Sequence, residues 1–260
     1  MVHETLEFPD LLRLIDERSA AFRSAIAAAP DLDTTVPTCP EWTLSDLVQH
    51  LGAGRRAWAA TVTAGPDATA KCAPRSDPTA PQDRELMSEW LATGTRQLLD
   101  ALREAGPDRG CWTWWGASQS PRTCGAVARH QLQEIAVHTY DAQLTVGAPQ
   151  PLPTEVALDG VEDFLSTCVA TTSAWPHQPT AFDFHAAEGR SWRLTLDGAG
   201  ARYERLPAPG TEPVTAADAS VHGTAGELVL YFYDRIPAPA MRIGGDRGLL
   251  DLLRAWEPED

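Results

Sequence analysis

Apolar residues recur at helical spacing through the first 150 residues. Leu11, Ile15, Phe22 and Ile26 mark one face of a predicted helix over 8–29. Leu44, Leu47, Leu51 and Trp58 do so over 43–63, and Met87, Leu91, Leu98 and Leu102 over 84–105. A fourth helix is predicted over 123–146, with Pro121 just before it and Gly147 just after. Four helices of about 20 residues, the first three amphipathic, predict a bundle. Their connections are long and Pro-rich, notably "GPDATAKCAPRSDPTAPQD" (65–83) and "GPDRGCWTWWGASQSP" (106–121). Both are candidate functional loops, since binding residues often sit on loops held by a rigid scaffold. Trp112, Trp114 and Trp115 in the second could line a pocket or cap the bundle core.

The pattern changes after "GAPQPLPTE" (147–155). One more helical segment covers 155–171, and period-two alternation follows, with Phe182 and Phe184 in one run and Trp192, Leu194 and Leu196 in the next. The second run ends at an Asp-Gly turn signal. Further short strands are predicted around Tyr203, around Val221 and over 241–243, interleaved with helices over 224–234 and 246–256. The expected fold is α+β: a four-helix bundle over 1–150, then a smaller α/β domain over 151–260 with a mainly antiparallel sheet.

Composition narrows the function classes. The chain has 260 residues, 43% hydrophobic and 22% charged, as in a soluble globular protein. No run of about 18 apolar residues is present, so no membrane span is expected. The N-terminal "MVHETLEFPDLLRLIDERS" has neither the basic nor the apolar region of a secretory signal. The five cysteines (Cys39, Cys72, Cys111, Cys124 and Cys168) are scattered and form no CxxC pair, which points to a reducing cytoplasm. A net charge of −15 disfavours nucleic acid and anionic membranes as partners. Lys71 is the only lysine, whereas residues with GC-rich codons abound, which suits a high-GC bacterial genome.

Candidate chemistry is concentrated in "RHQLQEIAVHTYDA" (129–142), where His130, Glu134 and His138 follow at steps of four. Each step of four drifts only about 40° around a helix, so Glu134 and His138 share a face one turn apart and can chelate one ion. His130 and His138 are separated by about 12 Å along the axis, which disfavours all three as a single-ion set. Leu132, Ile135, Ala136 and Val137 make these turns apolar, so a charged Glu134 needs a partner, and a cation is one solution. His50, among Leu47, Val48 and Leu51, is the best candidate for a third ligand from another helix. Two histidines and a carboxylate leave a coordination position open, as catalytic zinc does, and would also suit non-haem iron(II). Other templates fail: "GASQS" (116–120) lacks the last glycine of a nucleophile elbow, and "GGDRG" (244–248) has no nucleotide-binding spacing.

"VPTCPEWTLSDLVQHLG" (36–52) and "TWWGASQSPRTCGAVARHQLQEIAVHTYDAQLTVGAP" (113–149) together resemble the mycothiol-dependent maleylpyruvate isomerase family, within the broader DinB-like metal-dependent helical bundles. "ADASVHGTAGELVLYFYDR" and "RIGGDRGLLDLL" are similar to that family's small C-terminal domain, of sterol-carrier-protein-like fold. The resemblance implies that His50, Glu134 and His138 ligate a metal, usually zinc, with iron or nickel as alternatives. Arg129 and Asp141 match the same helix pattern, and Asp141 could orient a ligand or pair with a basic group. At His130 the family often has arginine, which leaves this residue without an assigned role. Cys39 is read as packing.

The implied chemistry uses mycothiol as a thiol cosubstrate that becomes a metal-bound thiolate. It would add to a cis-enone acid and be eliminated again as the trans isomer forms, or would instead displace a leaving group as an S-transferase. High-GC composition agrees with the actinobacteria that make mycothiol. Trp114, Trp115, Arg129 and Asp141 are candidate residues around the thiol, and Arg235 or Arg242 could meet a substrate carboxylate, although both also read as ordinary surface arginines. The expected partners are a small electrophile and a low-molecular-weight thiol, with the chain a monomer or homodimer. Alternatives are a non-enzymatic metal-containing protein that binds a small molecule, or a metal-dependent hydrolase on the same bundle.

Overall fold

The computed structural model describes residues 5–74, 79–207 and 216–256. Part of the 65–83 loop, residues 75–78, lies outside them, as do the N-terminal tetrapeptide and residues 208–215 and 257–260. By internal contacts the chain divides into two units. The first comprises 1–114 and 122–152, and the second 115–121 and 153–260.

The first unit is helical: α1 (Phe8–Ala28), α2 (Leu44–Ala64), α3 (Arg84–Ala105) and α4 (Cys124–Thr145). α1 packs along α4, and α2 along α3. The apolar stripes are the buried ones: Leu11, Ile15, Phe22 and Ile26 on α1; Leu47, Leu51 and Trp58 on α2; Leu91, Leu98 and Leu102 on α3. α4 differs, burying Leu132, Ile135, Ala136 and Val137 together with Gln131, Gln133, Thr139 and Asp141. A helix with polar side chains in its buried set must find them partners, and this one carries the site.

Close approach of α2 and α3 requires glycine. A Cβ on Gly52 would stand 1.8 Å from the Trp90 ring, and one on Gly94 would stand 2.6 Å from the Arg56 guanidinium. Arg56 spans this contact, donating to the carbonyls of Gly52 (2.9 Å) and Trp90 (2.7 Å) with its charge over the Trp90 ring.

Sequence periodicity does not predict one element of this unit, a hairpin of β1 (Thr35–Val36) and β2 (Cys39–Thr43). Pro37 and Pro40 keep this stretch extended, and it is too short for alternation to register.

In the second unit, α5 (Thr154–Phe164) runs into one π turn over Leu165–Val169, where the predicted helix over 155–171 loosens before it ends. The sheet is β3 (Thr180–Ala186), β4 (Ser191–Asp197), β5 (Gly200–Arg205), β6 (Ala219–Gly223) and β7 (Arg242–Gly245), in the order β5-β4-β3-β6-β7. Among the described strands only the central β3–β6 pair is parallel. One face of the sheet presents Phe182, Phe184, Trp192, Leu194, Leu196 and Val221 to the core. α6 (Ala225–Phe232) joins that core through Phe232, which stacks on Phe164 and meets the Phe184 ring edge-on. Glu162 of α5 is buried and accepts from Arg190 (3.2 Å), Arg205 (2.9 Å) and the Trp192 indole (3.0 Å), fastening helix to sheet. α7 (Arg247–Ala255) closes the described chain.

Candidate metal centre

Local sequence rules fix where His50 falls. Thr43 ends β2 and caps α2, and with Asp46 it forms a reciprocal capping box. The next two helix N–H groups, of Leu44 and Ser45, donate to the carbonyls of Thr34 and Leu32. The helix therefore starts at a defined residue, and His50 projects from its second turn beside the hairpin. On α4 the Thr123 hydroxyl caps the first turn, which sets the phase of Glu134 and His138.

These three side chains meet between α2 and α4. One donor atom from each of His50, Glu134 and His138 lies within 4.8 Å of the other two. His50 Nε2 is 3.0 Å from Glu134 Oε1, and the two imidazoles are edge-on with centroids 5.2 Å apart. The Trp42 ring on β2 stands against both, with centroids at 4.8 Å from His50 and 6.0 Å from His138.

Glu134 is further tied to Gln131, whose amide donates to Oε2, and Gln131 in turn accepts from Arg55 at 3.1 Å. Arg55 is buried, 3% exposed, with one guanidinium nitrogen lacking any hydrogen-bond partner. Burial brings its pKa down to about 10, against the opposing pull of Glu134. Burial alone would raise the pKa of Glu134. The hydrogen bond from His50 and the charges of Arg55, His50 and His130 outweigh it and hold the carboxylate well below its ordinary range.

Behind His138 lies Asp141, fully buried. Its Oδ2 takes the His138 Nδ1–H at 2.9 Å and lies 4.0 Å from the Cys39 thiol, while Oδ1 accepts from Thr38 at 2.7 Å. An ionised carboxylate on Nδ1 fixes the tautomer and leaves Nε2 as the free donor atom. The same carboxylate pins the hairpin to α4.

The other sequence candidates fall elsewhere. His130 is outside the three-residue set and meets the exposed Trp114 edge-on at 5.5 Å. Arg129 is half-buried on α4. Trp115 belongs to the second unit, where it is buried and donates its indole N–H to the Pro121 carbonyl at 3.3 Å. Arg235, just after α6, donates to the Tyr233 carbonyl at 2.6 Å, and Arg242 opens β7 opposite His222. Arg55, Gln131, Thr38 and Trp42 are site neighbours that carry no role in the sequence reading. "Arg-Arg" in an apolar helix face was the available signal for Arg55, since a buried guanidinium requires an acid nearby.

A four-helix unit holding a His–Glu–His set, followed by a small α/β unit, defines the class, and sequence comparison then places the chain in a family. Residues 12–143 match the mycothiol maleylpyruvate isomerase N-terminal domain, and 155–252 match the C-terminal domain of the same family. The chain belongs to the mycothiol maleylpyruvate isomerase family. Its fold is similar to crystal structures of a mycothiol-dependent maleylpyruvate isomerase (TM-score 0.50, 14% identity) and of a histidine-to-alanine mutant of such an isomerase (TM-score 0.53, 12% identity). Each comparison covers 87% of this chain and 89% of the other. No curated protein sequence matches the chain significantly. No helix among the described residues is long and apolar enough to cross a membrane.

Proposed function

We propose that the protein is a mycothiol-dependent isomerase acting on a maleylpyruvate-like cis-enone acid, with a divalent metal held by His50, Glu134 and His138. One observation carries the reading: two imidazoles and a carboxylate from two helices far apart in sequence converge within 4.8 Å in a chain of this family. The donor set fits the ion, because imidazole nitrogen and carboxylate oxygen suit zinc, iron or nickel, and three protein donors leave room for an exogenous ligand. A bound cation would supply the positive charge that lowers a thiol's pKa.

The chain's own residues do the rest. Glu134 brings negative charge that is already ionised, and Asp141 turns His138 so that Nε2 faces inward. Trp42 walls the imidazoles with an apolar ring, which limits water beside the thiol. The thiol sulfur adds to the activated alkene, forming a C–S bond as the π pair moves onto the conjugated carbonyl. Rotation about the new single bond follows. Return of the pair restores the alkene in its trans form and expels the sulfur, so the thiol is regenerated without net redox change. Free cysteines among the described residues accord with a reducing cytoplasm.

The test is native mass spectrometry with metal analysis, combined with product analysis in the presence of mycothiol and maleylpyruvate. About one divalent ion per chain, lost in His50→Ala and His138→Ala, and a trans product are expected. A stable thioether would make the protein an S-transferase. Full metal occupancy in both variants would sink the site.

A further inference from the structure

The polar face of the second unit's sheet carries another group of nitrogen bases. Strand register places Ser191, His185, His222 and Arg242 in one row across β4, β3, β6 and β7. Because β3 and β6 run parallel, the two histidines lie side by side, their rings stacked at 4.5 Å and 23°. The next row on the same face is Arg193, Asp183, Ser220 and Gly244. There Asp183 is consumed by the Arg193 fork, with Nε to Oδ1 and Nη2 to Oδ2 both at 2.7 Å. Asp183 is thus already paired, and the other carboxylate of this row, Glu204, lies beyond Arg193 on β5.

Each imidazole spends one nitrogen on a serine hydroxyl: His185 Nδ1 on Ser191 Oγ at 2.8 Å, His222 Nε2 on Ser220 Oγ at 3.1 Å. A hydroxyl can donate to that nitrogen, which leaves His185 Nε2–H and His222 Nδ1–H as donors for a ligand. Arg242 is exposed, and its side chain makes no hydrogen bond or ion pair among the described residues. A hollow of about 210 Å³ lies at these side chains, lined by His185, Ala186, Ala187, His222, Gly223 and Arg242. A guanidinium and two imidazoles around a hollow with no acidic residue in its lining stand out in a chain of net charge −15. Such a spot collects anions.

We propose that this hollow binds a phosphate group, free or carried on a small molecule, through the Arg242 fork and the N–H groups of His185 and His222. A tetrahedral oxyanion offers separate oxygens to three donor groups, where a carboxylate offers two. Burial, the main cause, together with the charges of Arg242 and Arg193 lowers the pKa of His185 against the pull of Asp183. Burial, His185 and Arg242 do the same for His222, again against Asp183. The imidazoles therefore serve as neutral donors at neutral pH.

The test follows the histidine ring signals by NMR while inorganic phosphate, glycerol phosphate or acetate is titrated into the full chain. Saturable one-to-one shifts of His185 and His222 with either phosphate probe, at least tenfold weaker in Arg242→Gln and His222→Asn, are expected. Unchanged melting and metal content in these variants separate the result from the metal centre. Tighter binding of glycerol phosphate identifies a phosphorylated small molecule, and equal binding identifies the free ion. Absence of saturation, affinity unaltered in Arg242→Gln, or acetate binding as tightly as phosphate overturns the proposal. So does zinc alone shifting the two rings.

Discussion

His50 and Glu134, 84 residues apart in sequence, meet in a hydrogen bond 3.0 Å long between α2 and α4. In the absence of a metal this pair and the Arg55–Gln131 link are what the half-buried carboxylate relies on. A divalent ion that binds the folded chain alone must stabilise it by mass action, by about 2.7 kcal/mol at a hundredfold excess over Kd. Zinc titration followed by thermal unfolding should raise the transition of the first unit by several degrees, and Glu134→Ala should abolish the rise. An equal rise in that variant would place the ion elsewhere.

Arg55 supplies charge to the site without a place in the donor set. Replacing it with methionine keeps the volume but leaves Gln131 and Glu134 without their cation. Breaking a buried ionic arrangement costs about 3–5 kcal/mol, and the metal-free protein should lose most of that. Added zinc should recover part of it, because the ion takes over the neutralisation of Glu134. Denaturant unfolding with and without zinc checks this. If Arg55→Met lost the same stability in both conditions, its role would be packing alone.

Asp141 acts on the site through His138. Asn at this position keeps a side chain of the same shape but removes the charge that fixes the imidazole tautomer. Partners of this kind are worth about 10–100-fold in metal affinity. Competition with a chelating dye should show zinc binding weakened by that factor in Asp141→Asn. Affinity equal to that of the parent chain would leave Asp141 as a clasp for the hairpin through Thr38 and Cys39, and nothing more.

The contrast between Glu134 and Arg55 shows what the sequence makes legible. Glu134 and His138 are four apart on one helix, so their common face follows from the helical period alone. His50 stands out because it interrupts an apolar stripe. The helices other than α5, which gives way to the π turn early, fall within a residue or two of their expected ends, since caps and stripes act locally. Arg55, Gln131 and Trp42 escape because their roles depend on which helix lies opposite and at what height, a tertiary fact that no local period encodes. The β1–β2 hairpin escapes for a related reason: at two and five residues its strands are held by Pro-induced extension and by Asp141. In the sheet, His185 and His222 carry no role in the sequence pattern, and the parallel β3–β6 register is what sets them side by side.

That same pair makes the stability of the second unit depend on pH. Both imidazoles have folded-state pKa values below the ordinary 6.5, with Asp183, Arg193 and Arg242 as the charged groups around them. The unfolded chain, with ordinary histidines, then binds protons before the folded one does. Stability is fully present above pH 6.5 and falls as the pH drops through the folded pKa values, a window in which most carboxylates are still ionised. The urea midpoint of the second unit's transition should therefore decline as the pH falls below about 6.5. His185→Gln and His222→Gln should each flatten that decline by the equivalent of about one proton at most. Saturating phosphate should flatten it too, since an anion beside the rings favours their protonated forms in the folded state. A decline of the same slope in the parent chain and both variants would show that neither histidine is held neutral by the sheet.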